Sequence, residues 1–203
     1  LDISHSAVEK PVVELFTKLG ITFTLVKDGL MGSPLVAQNQ KALAEKVRST
    51  TADLGIKWDS DGDRVVFLDE TGRMIPPTFV LGILGADAGG KIAIDVRAGL
   101  VIKDLVKDFV ILPAWGQYIK FAMQKDPTIT FGGETSGHYI YRDFYFIDDG
   151  ILAALKFLIC YQKEKILELS KKYFELPEKN FPCKNDAAPA ILEALSNFYR
   201  NKD

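Results

Sequence analysis

Residues 59–64, Asp59-Ser60-Asp61-Gly62-Asp63-Arg64, put carboxylates at three alternate positions. An extended or tightly turned loop can aim alternate side chains at one point, where three carboxylates repel unless a hard cation sits between them. Asp59, Asp61 and Asp63 are therefore candidate ligands for a divalent ion with oxygen coordination, Mg²⁺ before others. A solvated acidic turn fits the same letters. The second concentration of chemistry is Gly132-Gly133-Glu134-Thr135-Ser136-Gly137-His138. Its glycines let the backbone bend closely around a ligand, while Glu134 accepts and Ser136 donates or accepts hydrogen bonds, a pairing suited to vicinal sugar hydroxyls. A plain glycine-rich hairpin with Glu134 facing water is the alternative. His138 taken alone fits a packed edge as readily as a ligand site, and no nucleophile beside it suggests a triad.

Two rival motifs share the acidic letters. Counted from Asp59, residues Asp61, Asp63 and Glu70 fall at the third, fifth and twelfth positions of an EF-hand calcium loop, but the sixth, which needs glycine, is Arg64. The stretch Asp61-Gly62-Asp63-Arg64-Val65 also resembles the first motif of haloacid-dehalogenase-type phosphatases, with Asp61 as nucleophile. In that family an apolar strand runs straight into the nucleophile, whereas Asp59 and Ser60 intervene here.

The chain has 203 residues, 47% hydrophobic and 26% charged, which is the composition of an ordinary globular protein. A net charge of −2 without a long Lys/Arg cluster argues against nucleic-acid or membrane-surface binding. Cys160 and Cys183 are too few and too unlike in setting for a disulfide framework or thiolate metal site, so a reducing cytoplasm is the expected compartment. No apolar run approaches a membrane span.

The elements that must hold the two motifs follow from periodicity. Leu1–Ser4 reads as a strand end, with the chain expected to be a fragment. Val8, Val12, Leu15, Phe16 and Leu19 make a helical stripe closed by Gly20. A strand is predicted at 21–26, a helix at 40–49, a strand into the acidic tip, and a hairpin strand Val65–Leu68 ending in the turn 69–72. From about Arg73 a second run follows: helix 77–86, strand 91–96, helix 100–107, strand 109–112, helix 117–124 and strand 128–131. A long helix is predicted over 148–166, capped by Asp148 with Asp149 complementing its dipole. Residues 175–188 read as a linker and 191–199 as a closing helix. The expected fold is α/β: two consecutive three-layer α/β/α domains with mixed, mainly parallel sheets, at 1–73 and 74–174, with 175–203 opening a further domain.

Ala52 to Arg64 and Gly133 to His138, in that order and about 70 residues apart, resemble the α-D-phosphohexomutase family: phosphomannomutase, phosphoglucomutase and phosphoglucosamine mutase. The helix after Asp148-Asp149-Gly150 also looks like that family's third domain. The resemblance implies the second and third domains of a four-domain enzyme that interconverts hexose 6-phosphate and hexose 1-phosphate through a bisphosphorylated sugar. It implies Mg²⁺ on Asp59, Asp61 and Asp63, and Arg64 supporting phosphoryl transfer with its fixed fork of donors. Glu134, Ser136 and His138 are then the substrate-binding set, and the family's first and fourth domains are the missing partners.

The departures are specific. Neither the family's Thr-x-Ser-His-Asn-Pro nucleophile loop nor its Arg-x-Ser-Gly-Thr phosphate loop occurs in these residues; the first is expected upstream of Leu1. Ser4-His5-Ser6 lacks the Asn-Pro and is not the nucleophile. Pro113-Ala114-Trp115-Gly116 stands where the family has Lys-x-Gly-His/Asp, and Asp95-Val96-Arg97 matches its Asp-Val-Lys/Arg before departing at Ala98-Gly99. The expectation is a phosphohexomutase part without turnover of its own. The alternatives are the haloacid-dehalogenase-like phosphatase and a non-catalytic sugar-phosphate-binding module. Thr135 points to the glucose/mannose type.

Overall fold

The computed structural model describes residues 1–174 and 182–200. Its first half carries α1 (Glu9–Lys18), α2 (Ala37–Thr50), β1 (Gly55–Trp58) and β2 (Val65–Leu68). Strands β1 and β2 pair antiparallel, from Gly55 opposite Leu68 to Trp58 opposite Val65. The opening segment lies beside β1 through a parallel bridge from Asp2 to Lys57, and Val26 adds outside it through a parallel bridge to Asp2. The predicted strand at 21–26 is reduced to that single bridge at Val26. Alternation along β1 and β2 sorts the faces: Ile56, Trp58, Val65 and Phe67 join the largest core cluster, while Leu68 packs with Leu43, Ala44 and Val47 of α2.

The second half runs α3 (Pro77–Ala88), β3 (Lys91–Asp95), α4 (Ile102–Leu105), β4 (Phe109–Leu112), α5 (Gly116–Lys125), β5 (Ile129–Gly133), β6 (Tyr139–Tyr141), α6 (Gly150–Cys160) and α7 (Lys163–Lys172). The sheet order is β4-β3-β5-β6, with β3 parallel to β4 and β5, and β6 antiparallel at the edge. Ile92, Ile94, Phe131, Tyr139 and Tyr141 face α3 and α6; Ala93, Ile129 and Ile140 face Ile119 and Met123 of α5. Helices thus cover both faces of a mainly parallel sheet. The largest core cluster runs from Ile3 to Leu169 across both halves, with the Phe67 and Phe157 rings 4.2 Å apart between β2 and α6.

The single helix predicted over 148–166 is two helices, α6 and α7, with Tyr161 extended between them (φ −63°, ψ 123°). The buried residues of α6 include Ala153, Ala154 and Phe157, and those of α7 are Ile166 and Leu169. At about 100° per residue, Ile166 would lie about 180° round from Phe157 on one continuous helix, facing water. The break turns it back to the core. The cap is also Asp149 rather than Asp148: the Asp149 carboxylate accepts from the N–H groups of Ile151 and Leu152, whereas Asp148 is held by Lys120 Nζ at 2.8 Å. Residues 175–181 of the predicted linker lie outside the described residues. The closing helix α8 (Ala188–Arg200) buries none of its side chains. No helix among the described residues is long and apolar enough to cross a membrane.

Candidate metal and sugar site

The acidic stretch is the tip between β1 and β2. Asp59, the first residue past β1, is buried, and it organises the loop rather than only decorating it. Its Oδ1 accepts from the N–H of Gly62 (3.1 Å) and of Arg64 (3.2 Å), and its Oδ2 accepts from Arg64 Nε at 2.5 Å. Gly62 sits at φ +81°, and a Cβ there would strike Val8, so the turn needs glycine at this position. Asp61 is exposed and Asp63 half-buried. One carboxylate oxygen from each of Asp59, Asp61 and Asp63 lies within 4.8 Å of the others. That all-oxygen donor set, close in space and carrying three charges, fits a hard divalent cation. Burial and the charges of Asp59, Asp61 and Asp148 raise the Asp63 carboxyl above its ordinary range, with His138 pulling the other way.

The glycine-rich stretch turns between β5 and β6. Glu134 donates its N–H to the His138 carbonyl and accepts one from Gly137, closing the turn. Glu134 is buried. Its carboxylate lies 3.4 Å from His138 Nδ1 and 3.7 Å from the Arg97 guanidinium. Ser136 Oγ is 2.9 Å from the same ring nitrogen. Burial works against a charged His138 ring, but its hydrogen bond to Glu134 and the charges of Asp63, Glu134 and Asp148 carry its pKa above the ordinary value.

The two motifs, about 70 residues apart in sequence, meet. Arg64 and His138 form an antiparallel bridge, and the Val65 N–H donates to the Gly137 carbonyl at 3.1 Å. His138 Nε2 stands 3.3 Å from Asp63 Oδ2, so one imidazole touches the acidic loop with one nitrogen and Glu134 with the other. The start of α6 closes the third side: the Gly150 N–H donates to the Gly62 carbonyl at 3.0 Å, and a Cβ on Gly150 would fall 2.6 Å from that oxygen. Glu134, Ser136, His138, Asp59, Asp61, Asp63 and Arg64 thus occupy one connected region.

Several members of this region have no site role in the sequence reading. Ser6 Oγ donates to the Asp59 carbonyl at 2.6 Å and the Ala7 N–H to the Ser60 carbonyl. Ser6 and Ala7 therefore brace the acidic loop. Asp95, fully buried, accepts from the Thr135 N–H (2.9 Å) and from Arg97, fixing the glycine-rich turn to the end of β3. Asp148 offers a carboxylate within 4.8 Å of Asp63 and His138. Its position on the loop before α6 made it read as a cap. The phosphatase alternative lacks its scaffold: Asp61 is an exposed side chain in the turn between antiparallel β1 and β2, not a nucleophile at a strand end.

These features define a mixed α/β protein in which an acidic turn and a glycine-rich turn are clasped together. The same fold occurs in a Burkholderia thailandensis phosphoglucomutase/phosphomannomutase family protein, with a TM-score of 0.73 at 19% identity over 85% of this chain and 42% of that one. Residues 88–179 match the family described as phosphoglucomutase/phosphomannomutase, alpha/beta/alpha domain III. A phosphoglucosamine mutase of Campylobacter hominis is 32% identical over 99% of this chain and 49% of its own length. A Xanthomonas campestris protein named for phosphohexose mutases is 30% identical over 82% of this chain and 40% of its own. Residues 88–179 thus carry that family's third domain, and the chain is similar to phosphohexose and phosphoglucosamine mutases along most of its length. It spans less than half the length of these relatives.

Proposed function

We propose that these residues are the metal-holding and sugar-reading part of a mutase that interconverts hexose 6-phosphate and hexose 1-phosphate through a bisphosphorylated sugar. Residues 1–73 are the metal-loop domain, 74–174 the sugar-loop domain and 175–203 the opening of a further one. The observation that carries this reading is the Arg64–His138 bridge, which sets the carboxylates of the one loop beside Glu134 and Ser136 of the other.

Asp59, Asp61 and Asp63 would hold Mg²⁺, which offsets charge on a phosphoryl group in transfer. Asp59 fixes the loop through its two N–H contacts and keeps the Arg64 guanidinium at the loop edge, where its remaining donors can face phosphate oxygens. Glu134 and Ser136 take up adjacent hydroxyls. His138 ties the two loops so that sugar and metal keep one relative position, the geometric requirement for an in-line transfer.

Calorimetry tests the assignment. The chain should bind Mg²⁺ and Asp61→Asn should bind it at least 10-fold more weakly, since the exposed carboxylate has little part in folding. With glucose 1,6-bisphosphate supplied, the chain alone should not interconvert glucose or mannose phosphates, because it lacks the serine and distal phosphate loops. Robust conversion would overturn that part. Thr135 argues for glucose or mannose over glucosamine; tighter binding of glucosamine 1-phosphate than of the other two 1-phosphates would reverse this choice.

A further inference from the structure

Where the family resemblance leads one to expect Lys-x-Gly-His/Asp, this chain has Pro113-Ala114-Trp115-Gly116, and the fold puts this segment beside Glu134. Gly116 opens α5, and a Cβ built on it would lie 3.5 Å from Glu134 Oε2. One turn on, Lys120 reaches Asp148, so the side of α5 bearing residues 116 and 120 faces Glu134 and the loop before α6. Trp115, the residue before the helix, is 60% exposed, an unusual setting for so large an apolar ring. It packs edge to face against Tyr118, itself 46% exposed, with centroids 5.6 Å apart. The two rings form an exposed aromatic surface that starts at the residue before Gly116, the position next to the Glu134 carboxylate.

Resting on the proposed sugar-reading role of Glu134, we infer that Trp115, braced by Tyr118, is a specificity-determining platform that stacks on the apolar C–H face of the hexose ring. A pyranose has such a face, and an aromatic ring beside hydrogen-bonding carboxylate and hydroxyl groups is the combination that receives it: polar groups fix orientation and the ring supplies desolvated contact. A charged side chain at this place would grip phosphate irrespective of the sugar. The tryptophan makes recognition depend on the ring instead.

The chain has two tryptophans, and the other, Trp58, is buried with no hydrogen-bond partner on Nε1. Two indole N–H signals in a nitrogen–proton correlation spectrum therefore report separately, and Trp115→Phe assigns them. With MgCl₂ present, glucose 1-phosphate should shift the Trp115 signal saturably, while inorganic phosphate should leave it in place. By calorimetry, Trp115→Ala should bind glucose 1-phosphate about 3- to 10-fold more weakly and Trp115→Phe within about 2-fold of the parent chain. The platform is overturned if Trp115→Ala binds as the parent does, or if inorganic phosphate shifts the signal equally. Glu134→Gln separates the two readings: wild-type affinity in that variant sinks the sugar-reading role, whereas its loss beside an unaffected Trp115→Ala sinks only the platform. No binding by the parent chain sinks both.

Discussion

Asp2 and Lys57 form an ion pair at 2.7 Å with both side chains almost wholly out of water. Asp2 also accepts the Ser4 N–H, and the turn at Gly29 closes over it so tightly that a Cβ there would fall 2.9 Å from Asp2 Oδ2. Removing one partner leaves an uncompensated buried charge, so Lys57→Met should lower stability by about 3–5 kcal/mol, read as a shift in denaturation midpoint. The double change Asp2→Asn with Lys57→Met should recover a large part; an equal loss in both would mean that the lost volume rather than the charge matters. This pair shows what the sequence could not reveal. Lys57 sits between Ile56 and Trp58 in an obvious strand, but its partner lies at the opposite end of the segment, 55 positions away. Asp59, Asp61 and Asp63 were legible because their chemistry is written in adjacent letters. Ser6, Asp95 and Asp148 were not, since each acquires its role only when folding brings a distant backbone or carboxylate to it.

At the level of elements, the bounds of β2, β4 and α1 fall close to those that the residue pattern predicts. The failures have physical causes. The 21–26 segment has strand-forming residues but makes a single bridge, from Val26 to Asp2, beside which the Leu1 ammonium donates to the Thr24 carbonyl. The α6–α7 break is invisible in a run of good helix formers and follows from where Ile166 must point. The α6 N-terminus carries a direct test: Asp149→Ala removes the acceptor for Ile151 and Leu152 and should cost about 1 kcal/mol, whereas Asp148→Ala should leave this cap intact and lose the Lys120 contact instead. The turn into β5 gives a pH test. The Thr128 hydroxyl and N–H, together with Lys91, hold the Asp126 carboxyl down at about 2 against an ordinary value of 3.8. A depressed folded-state pKa stabilises above the ordinary value and is lost as pH falls through the folded one. The stability gap between the parent chain and Asp126→Asn should therefore be constant above about pH 5 and close towards about pH 2. A gap that stays constant down to pH 2 would show that the carboxylate charge contributes nothing.

For the molecule as a whole, sequence pattern and packing divide it differently. The order of elements suggests a boundary near Arg73, and α3 packs on the second sheet, where Gly85 leaves room for Ile92 and Phe131. Yet the main core does not stop there: Ile56 and Phe67 of the first sheet share a cluster with Phe157 of α6 and Phe131 of the second. The site sits on the same seam, since the acidic loop is hydrogen-bonded to Gly137 on one side and Gly150 on the other. Residues that bind across a seam keep their geometry only if the seam does not open at a cost below that of unfolding. A shared core meets that condition by making both halves one cooperative unit. In a Trp115→Phe background, Trp58 fluorescence reports the first half alone while far-UV circular dichroism reports both, and the two denaturation curves should coincide. Phe157→Ala removes the ring that meets Phe67 at 4.2 Å and should shift both curves together by about 3–5 kcal/mol. If fluorescence and dichroism separate into two transitions, the halves are independent domains, and the clasp between the Asp59–Arg64 loop and the Glu134–His138 turn has to hold its geometry without help from the core.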